Sequence, residues 1–94
     1  KWHVAVDDKV WPGAYDMVWP PVFSPDGAHV AAKVETGGRY AVVVDGKPID
    51  WAMMDAWDPV FSPDSRNLMV RGVDAGADKG KYCRCVFQMD ALHG

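Results

Sequence analysis

The sequence predicts an all-β fold, an antiparallel β-meander that stays open rather than closed. The first observation is a repeat. Residues 19–26, Trp-Pro-Pro-Val-Phe-Ser-Pro-Asp, return at an offset of 38 as residues 57–64, Trp-Asp-Pro-Val-Phe-Ser-Pro-Asp. The second is that Pro and Gly interrupt every helical pattern, and nearly all of the acids are Asp. A fixed period of this size is typical of repeat architectures, in which each unit buries its apolar face against the next.

The repeat extends beyond this signature and divides the chain. Residues 2–9 match residues 40–47 at the same offset, with the aromatic residue, the valines, the Asp and the Lys in register. A third copy of this half begins at Tyr82, later than the period predicts, so we expect a longer connection over the Gly- and Asp-rich residues 74–80. The chain therefore divides into about two and a half repeats within one β-meander segment. The segment is 1–94, with a partial repeat at 1–19 and repeats at 20–57 and 58–94.

Each repeat contains a turn whose residue types fit their positions. Ser begins the turn, Pro presets φ, Asp follows, and Gly tolerates the left-handed conformation that closes it. The turn residues are Ser24, Pro25, Asp26 and Gly27 in the first copy, and Ser62, Pro63 and Asp64 in the second. Because Ser65 replaces the Gly there, we expect the second turn to be more strained or to use a different bulge geometry.

Apolar alternation predicts the strands that follow these turns. Residues 29–34 and their copy, residues 67–73, form one pair of equivalent strands, and residues 40–44 form the next strand. Asp45-Gly46 is a strong two-residue hairpin signal, and Asp7 opens a turn in the same way. Only residues 51–57 could make a helical turn, and the matched residues of the earlier repeat argue for a loop or short strand there instead.

Length and composition exclude several classes of protein. The chain of 94 residues suffices for one small domain, and because it starts inside a repeat we expect it to be a fragment of a longer protein. The net charge is −3 and no basic stripe is present, so nucleic acid is not an expected partner. No apolar run approaches the length of about 18 residues that a membrane span needs.

Cys83 and Cys85 are the candidate metal ligands. On a strand both side chains face the same side, and such near neighbours are poorly placed for a disulfide. They are either half of a soft-metal site or two half-buried thiols in a reducing compartment. Since His3, His29 and His93 have no zinc-site spacing with them, we expect no metal and no other cofactor.

The sequence contains no recognisable enzyme motif. Asp26 and Asp64 could ligate calcium or act as catalysts, but their recurrence favours a structural role, the capping of backbone N–H groups in the turns. Ser24 and Ser62 lie in no Gly-x-Ser-x-Gly setting, and no phosphate-binding loop is present. We therefore expect a protein that is not an enzyme.

Aromatic and Met residues are the best candidates for function. Trp19 and Trp57 occupy equivalent repeat positions, so we expect them to pack in the core. Four residues after the hairpin turns are candidates for partner binding, with core packing as the alternative, because both environments use the same residue types. They are Trp11, Trp51, Met53 and Met54.

Two segments of the repeat resemble known families. Residues 23–32, with Phe-Ser-Pro-Asp-Gly before an apolar strand, resemble the WD40-like (PD40) repeats of TolB-type β-propellers. A propeller closes with at least about four blades, so these residues alone stay open. Together with residues 40–48, Tyr-Ala-Val-Val-Val-Asp-Gly-Lys-Pro, and the abundance of Trp, the chain resembles the tryptophan-rich D-subunit family of the Tmc transmembrane electron-transfer complexes of sulfate-reducing bacteria.

The second resemblance implies a non-catalytic scaffold subunit without a redox centre of its own, beside cytochrome, iron–sulfur and membrane subunits. Such a protein would be cytoplasmic and membrane-associated through its partners. The alternative is a TolB-like propeller segment that accompanies a peptidase or another partner domain in the parent chain. In either case the strand edges at residues 2–6 and 82–88 predict self-association of the isolated segment.

Overall fold

The structure is a computed structural model that describes residues 1–92 and has an antiparallel all-β fold. Its strands are β1 (Ala5–Val6), β2 (Lys9–Val10), β3 (Met17–Val18), β4 (Val22–Phe23), β5 (Val30–Thr36), β6 (Arg39–Val44), β7 (Lys47–Pro48), β8 (Met53–Ala56), β9 (Val60–Phe61), β10 (Asn67–Asp74) and β11 (Tyr82–Gln88), and a short helix, α1 (Met89–Leu92), follows them. The sheet does not close on itself, so the prediction of an open antiparallel meander is confirmed.

Nine of these strands form one sheet in which neighbours along the chain are neighbours in space. The order is β11-β10-β8-β6-β5-β3, while β4, β7 and β9 pair with β5, β6 and β10. In the structure the first repeat comprises β3 to β7 and the second comprises β8 to β11, so that β8 begins the second repeat. The sheet continues from one repeat to the next through the pairing of Tyr40 of β6 with Met53 of β8. β11 is an edge strand, as predicted. Residues 2–6 are not an edge of this sheet, because Trp2 bridges Tyr15 and β1 forms a separate hairpin with β2.

The 38-residue period is visible in the strands. β5 is equivalent to β10, β6 to β11, and β3 with β4 to β8 with β9. The β1–β2 hairpin matches the end of β6 with β7. Its turn residues Asp7 and Asp8 have φ of 51° and 65°, and Asp45 and Gly46 have φ of 50° and 87°. Positive φ at both central residues is the type I′ geometry, whose twist matches that of the paired strands.

Within residues 1–92, two apolar clusters form the core, and they lie on opposite faces of the first repeat because successive strand residues alternate in direction. The inter-repeat cluster joins the first repeat to the second. Its buried residues are Ala31, Val42, Val44, Met53, Ala56, Phe61, Leu68, Val70 and Met89. The N-terminal cluster joins the first repeat to the start of the chain. Its buried residues are Val4, Ala32, Val34 and Val43.

The two clusters are copies of each other. At the offset of 38, Val42 and Val44 of the inter-repeat cluster correspond to Val4 and Val6 of the N-terminal cluster. Each repeat thus presents one face to the unit before it and the opposite face to the unit after it. This is the arrangement of a stack, in which each unit contacts its neighbours.

Two short segments have a secondary structure that their local sequence alone does not determine. Residues 51–57 contain β8 rather than a helical turn, in agreement with the alternative that the sequence favoured. The helix α1 was not predicted, because four residues without capping signals have little helical tendency of their own. Packing supplies the reason: Met89 is buried in the inter-repeat cluster, and its N–H donates to the Arg66 carbonyl at 2.8 Å.

Candidate protein-interaction surface

The side chains of the first repeated turn bond within that turn. Ser24 Oγ donates to Asp26 Oδ1 at 2.6 Å and accepts the His29 N–H at 3.0 Å. Asp26 Oδ1 also accepts the Ala28 N–H at 2.9 Å. The carboxylate therefore caps backbone and hydroxyl donors of its own turn, as Asp does in many turns of this kind.

The second turn repeats this network. Ser62 Oγ donates to Asp64 Oδ1 at 2.5 Å and accepts the Asn67 N–H at 3.0 Å. Asp64 Oδ1 accepts the Arg66 N–H at 3.0 Å. Both aspartates thus hold their turns closed, and the same geometry in both copies gives neither of them distinct surroundings for chemistry.

The turn networks make stability depend on pH. Hydrogen bonds from the serine hydroxyl and then from a backbone N–H lower the pKa of Asp26 and that of Asp64. A carboxyl group whose pKa is lower in the folded chain adds stability above its unfolded pKa of about 3.9, and this stability is lost as pH falls through the folded pKa. We expect the urea midpoint to fall below about pH 4. The variant with Asp26→Asn and Asp64→Asn should fall less steeply, and an unchanged profile would contradict the prediction.

Ser65 links the two turns. Its φ of 64° is left-handed, as is the φ of 74° at Gly27, the equivalent position. Its buried hydroxyl accepts the Asp26 N–H at 3.0 Å, across the two repeats. The second turn therefore keeps the geometry of the first, and the serine adds a hydrogen bond that a glycine could not make.

Two substitutions of Ser65 distinguish the contribution of this hydrogen bond to stability from the cost of the left-handed backbone. Ser65→Ala removes the acceptor of the Asp26 N–H and keeps a Cβ in the left-handed region, so we expect a loss of about 1–2 kcal/mol in the free energy of unfolding. Ser65→Gly loses the same bond but relieves the strain, so its loss should be smaller by about 1 kcal/mol. Urea unfolding of both variants checks the order, and equal losses would contradict it.

Asp45 and Gly46 form the hairpin turn between β6 and β7. Asp45 Oδ1 accepts the Val30 N–H at 2.9 Å, and Asp45 Oδ2 lies 2.8 Å from His29 Nδ1. The turn is therefore tied to the start of β5. The Trp11 ring lies over Gly46, 3.8 Å from the position that a Cβ would occupy.

Cys83 and Cys85 are free and half-buried on β11, opposite Gly72 and Val70 of β10. Burial raises the pKa of the Cys85 thiol, which makes its thiolate less available for metal or redox chemistry. Within residues 1–92, no three His, Cys, Asp or Glu side chains are grouped so that they could hold a metal ion. His93 lies outside the described residues.

The four Trp and Met candidates occupy different places. Trp11 packs half-buried against the N-terminal cluster, and Trp51 packs against the inter-repeat cluster. Trp51 Nε1 also donates to Asp74 Oδ1 at 3.0 Å, so its ring anchors the connection between β10 and β11. Met53 is 1% exposed and belongs to the core, so its interpretation as a partner contact is wrong. Met54, the next residue along β8, is exposed.

Trp19 and Trp57 recur with the same aromatic neighbour. The ring centroids of Trp19 and Tyr40 lie 5.6 Å apart, and those of Trp57 and Tyr82 also lie 5.6 Å apart. This pairing supports the match of Tyr82 to Tyr40. Trp19 is half-buried but Trp57 is exposed, so the expectation of core packing is wrong for Trp57. The reason is that no described residue covers this side of the second repeat.

The uncovered side of the second repeat is the candidate interaction surface, which we call the terminal face. It consists of the outward side chains of Trp57, Val60, Met69, Arg71, Tyr82, Arg84 and Val86. Four of these residues have a large solvent-exposed fraction, which is 42% for Trp57, 44% for Val60, 53% for Tyr82 and 63% for Val86. The patch is contiguous, because Met69 pairs with Val60 on one side and with Val86 on the other. Contiguous apolar patches on a protein surface usually mark binding sites.

The equivalent positions of the first repeat are covered. Val60 corresponds to Val22 at the offset of 38, and Val86 corresponds to Val44 when β11 is aligned on β6. Val22 packs against the inter-repeat cluster, and Val44 is buried inside it. The same residue types are thus core in one repeat and surface in the next.

Two arginines lie among the apolar residues of the terminal face. Arg71 and Arg84 are direct cross-strand partners, an arrangement that is unfavourable for like charges. Arg71 Nε is buried and has no hydrogen-bond partner among the described residues. Because a buried donor without an acceptor is costly, Arg71 would gain stability by turning its guanidinium toward an acceptor from outside these residues.

Residue types alone do not predict the terminal face, because they place Trp57 in the core together with its copy Trp19. A signal was nevertheless available in the repeat. If each unit covers the face of the unit before it, the last unit of any described stack has a face without a cover. Aligning the last repeat on its predecessor identifies the residues of that face.

Comparison of this chain with protein-family models, with curated proteins and with solved structures finds no match. Within the described residues, no helix has the length and the apolar character that crossing a membrane requires. The function of the chain is therefore inferred from the geometry of its surface.

Proposed function

We propose that this chain is a non-catalytic protein-interaction module that binds other protein subunits through the terminal face. The observation behind the proposal is that Val86 is 63% exposed, although its equivalent Val44 is 3% exposed. The face combines Trp, Tyr, Met and Arg, the residue types that are enriched where proteins bind each other. It lies on regular strands, which hold its side chains in fixed positions.

The finer proposal is a scaffold subunit of a membrane-associated electron-transfer complex, located in the cytoplasm and held at the membrane by its partners. It is supported by the resemblance of residues 23–32 and 40–48 to the Tmc D-subunit family, whose partners are cytochrome, iron–sulfur and membrane subunits. The internal hydrogen bonds of Asp26 and Asp64 support a role without catalysis.

A TolB-like propeller segment that accompanies a peptidase or another domain of the parent chain is the second candidate. It is favoured by the same terminal face, because an apolar sheet face suits a neighbouring domain as well as a separate subunit. A Gly-x-Ser-x-Gly hydrolase segment elsewhere in the parent chain would distinguish this candidate from the first.

Affinity capture of the tagged full-length parent from solubilised native membranes tests the proposal. Three forms are compared: the wild type, Val86→Glu on the terminal face, and Val10→Glu on β2. The two valines are matched, since Val10 is 64% and Val86 is 63% exposed. We expect haem and iron–sulfur subunits, identified by mass spectrometry, to accompany the wild type and Val10→Glu but not Val86→Glu, because a charge in an apolar interface is costly.

Two results would contradict parts of this proposal. If Val86→Glu retains every partner, the terminal face is not the binding surface. If a peptidase-bearing domain or envelope proteins are recovered without redox subunits, the electron-transfer proposal fails and the second candidate is favoured. Circular dichroism of both variants establishes that each is folded.

A further inference from the structure

We infer that the terminal face receives a further β-repeat of the same 38-residue class, and that this repeat brings a carboxylate and a backbone carbonyl to Arg71. The inference rests on the proposed function and specifies the chemistry of the partner. That partner is a strand face with apolar residues and an aspartate beside it. The first repeat is the template, because it shows how a face of this kind is covered.

The apolar part of the inference follows from the inter-repeat cluster. There Ala31 and Val44 of the first repeat pack with Leu68 of the second repeat and its buried neighbours. The terminal face presents Met69 and Val86 at the positions of Ala31 and Val44. A strand face like that around Leu68 therefore matches the terminal face in position and in chemistry.

The polar part follows from Lys33, which is equivalent to Arg71. Lys33 Nζ donates to the Ala56 carbonyl at 3.3 Å and lies 3.5 Å from Asp58 Oδ1, and both of these residues belong to the covering repeat. Lys33 Nζ also lies 4.4 Å from the centroid of the Trp19 ring. In the second repeat the cation is Arg71, and its buried Nε has no hydrogen-bond partner within residues 1–92. A further repeat would supply the same two oxygen acceptors.

Charge disfavours a second copy of this chain docked face to face. Such a dimer would bring Arg71 and Arg84 of both copies into one interface, where each copy contributes only Asp55, which pairs with Val73 on this side of the sheet, against two positive charges. Head-to-tail stacking of two copies would not reproduce this contact either, because the N-terminal segment covers the opposite face of the first repeat and contains no strand equivalent to β10. A separate repeat that carries an aspartate meets neither obstacle.

An extension of the chain by its own sequence tests the apolar part. A copy of residues 45–92 is joined after Gly94. The copied residues 45–52, which connect the first repeat to the second, then connect the second repeat to the copy, while residues 87–92 keep their contacts in β11 and α1. Hydroxyl-radical footprinting then measures oxidation of the original Trp57, whose tryptic peptide differs in mass from that of the copy. We expect the oxidation of the original Trp57 to fall to about the level of Trp19, its covered equivalent, and the urea midpoint to rise.

A double-mutant cycle in the extended chain tests the carboxylate. Arg71→Gln in the original repeat is combined with Asp58→Asn in the appended copy, and we expect the shifts of the urea midpoint to be non-additive. The matched control is Asp58→Asn in the original repeat. That Asp58 faces Lys33 rather than Arg71, so its effect should add to that of Arg71→Gln.

Each alternative result overturns a stated part of the inference. If Trp57 stays as reactive as in the unextended chain, the inference fails, since the copy contains every residue that the face is inferred to receive. Protection of Trp57 with additive charge effects excludes the contact between Arg71 and a carboxylate. Concentration-dependent protection of Trp57 in the unextended chain would identify a second copy as the occupant instead. None of these results changes the outcome of capture with Val86→Glu, so the proposed function is tested separately.

Discussion

Val44→Ala should lower the free energy of unfolding by about 1–3 kcal/mol, whereas Val86→Ala should change it by less than about 0.5 kcal/mol. Val44 is buried in the inter-repeat cluster, so loss of its methyl groups removes apolar contacts and leaves a cavity. Val86 lies on the terminal face in contact with water, so the same deletion removes little. The two residues are chemically identical and occupy equivalent positions, and they differ in whether another repeat covers them.

Urea unfolding of the two variants, followed by Trp fluorescence and by circular dichroism, measures both losses. The measurement is repeated at two protein concentrations, because self-association through the β11 edge would cover part of the surface near Val86. Similar losses at both positions and at both concentrations would contradict the assignment of the terminal face as uncovered. The prediction therefore tests the fold and the candidate site with one pair of substitutions.

Most of the fold could be predicted because the repeat constrains the strand register. In a strand, a shift of the pairing by one residue moves every apolar side chain to the other face of the sheet. Two copies of the sequence with the same apolar pattern therefore allow few alternative strand pairings. The signals at residues 24–27 and at Asp45-Gly46 correspond to turns of the structure. The helix α1 lies outside this logic, since it follows from the burial of Met89 rather than from a local pattern.

The candidate site could be predicted only in part, because the environment of a repeated residue depends on which units lie beside it. Trp19 and Trp57 have the same type, the same position and an equivalent Tyr neighbour, yet only Trp57 lies on an uncovered face. Met53 and Met54 are adjacent, and the direction of each on β8 decides which is core. Residue type does not distinguish the members of either pair, whereas the place of each unit in the stack and the direction of each side chain on its strand do.

Contacts between repeats likewise could not be predicted from the sequence of a single repeat. The hydroxyl of Ser65 meets the Asp26 N–H across 39 residues of sequence. From the sequence, Ser65 was an imperfect substitute for Gly in a turn, and nothing in the turn itself pointed to a partner in the other repeat. The stacking of the two units supplies the partner, and stacking is a property of the assembled fold.

Gly72→Ala should destabilise the chain by about 1–3 kcal/mol, although Gly72 does not have a left-handed φ. The reason is steric. A Cβ at this position would collide with the Met53 side chain and would lie 3.0 Å from the Asp55 carbonyl oxygen. Met53 is fully buried, and the pairing of β8 with β10 holds the Asp55 backbone, so neither neighbour can move freely. Overpacking of a filled core forces shifts with a cost of this size.

A second substitution separates these two contacts. Met53→Ala alone creates a cavity and should cost about 2–5 kcal/mol, but it also frees the space that the new Cβ needs. The double variant should therefore lose less stability than the sum of the single losses, which a double-mutant cycle in urea measures. Gly76→Ala is the control, because its Cβ would have nothing closer than the Asp74 carboxylate at 3.5 Å. Additive losses would show instead that the new Cβ at residue 72 clashes mainly with the Asp55 carbonyl oxygen. The backbone of β8, rather than the Met53 side chain, would then exclude a larger residue at this position.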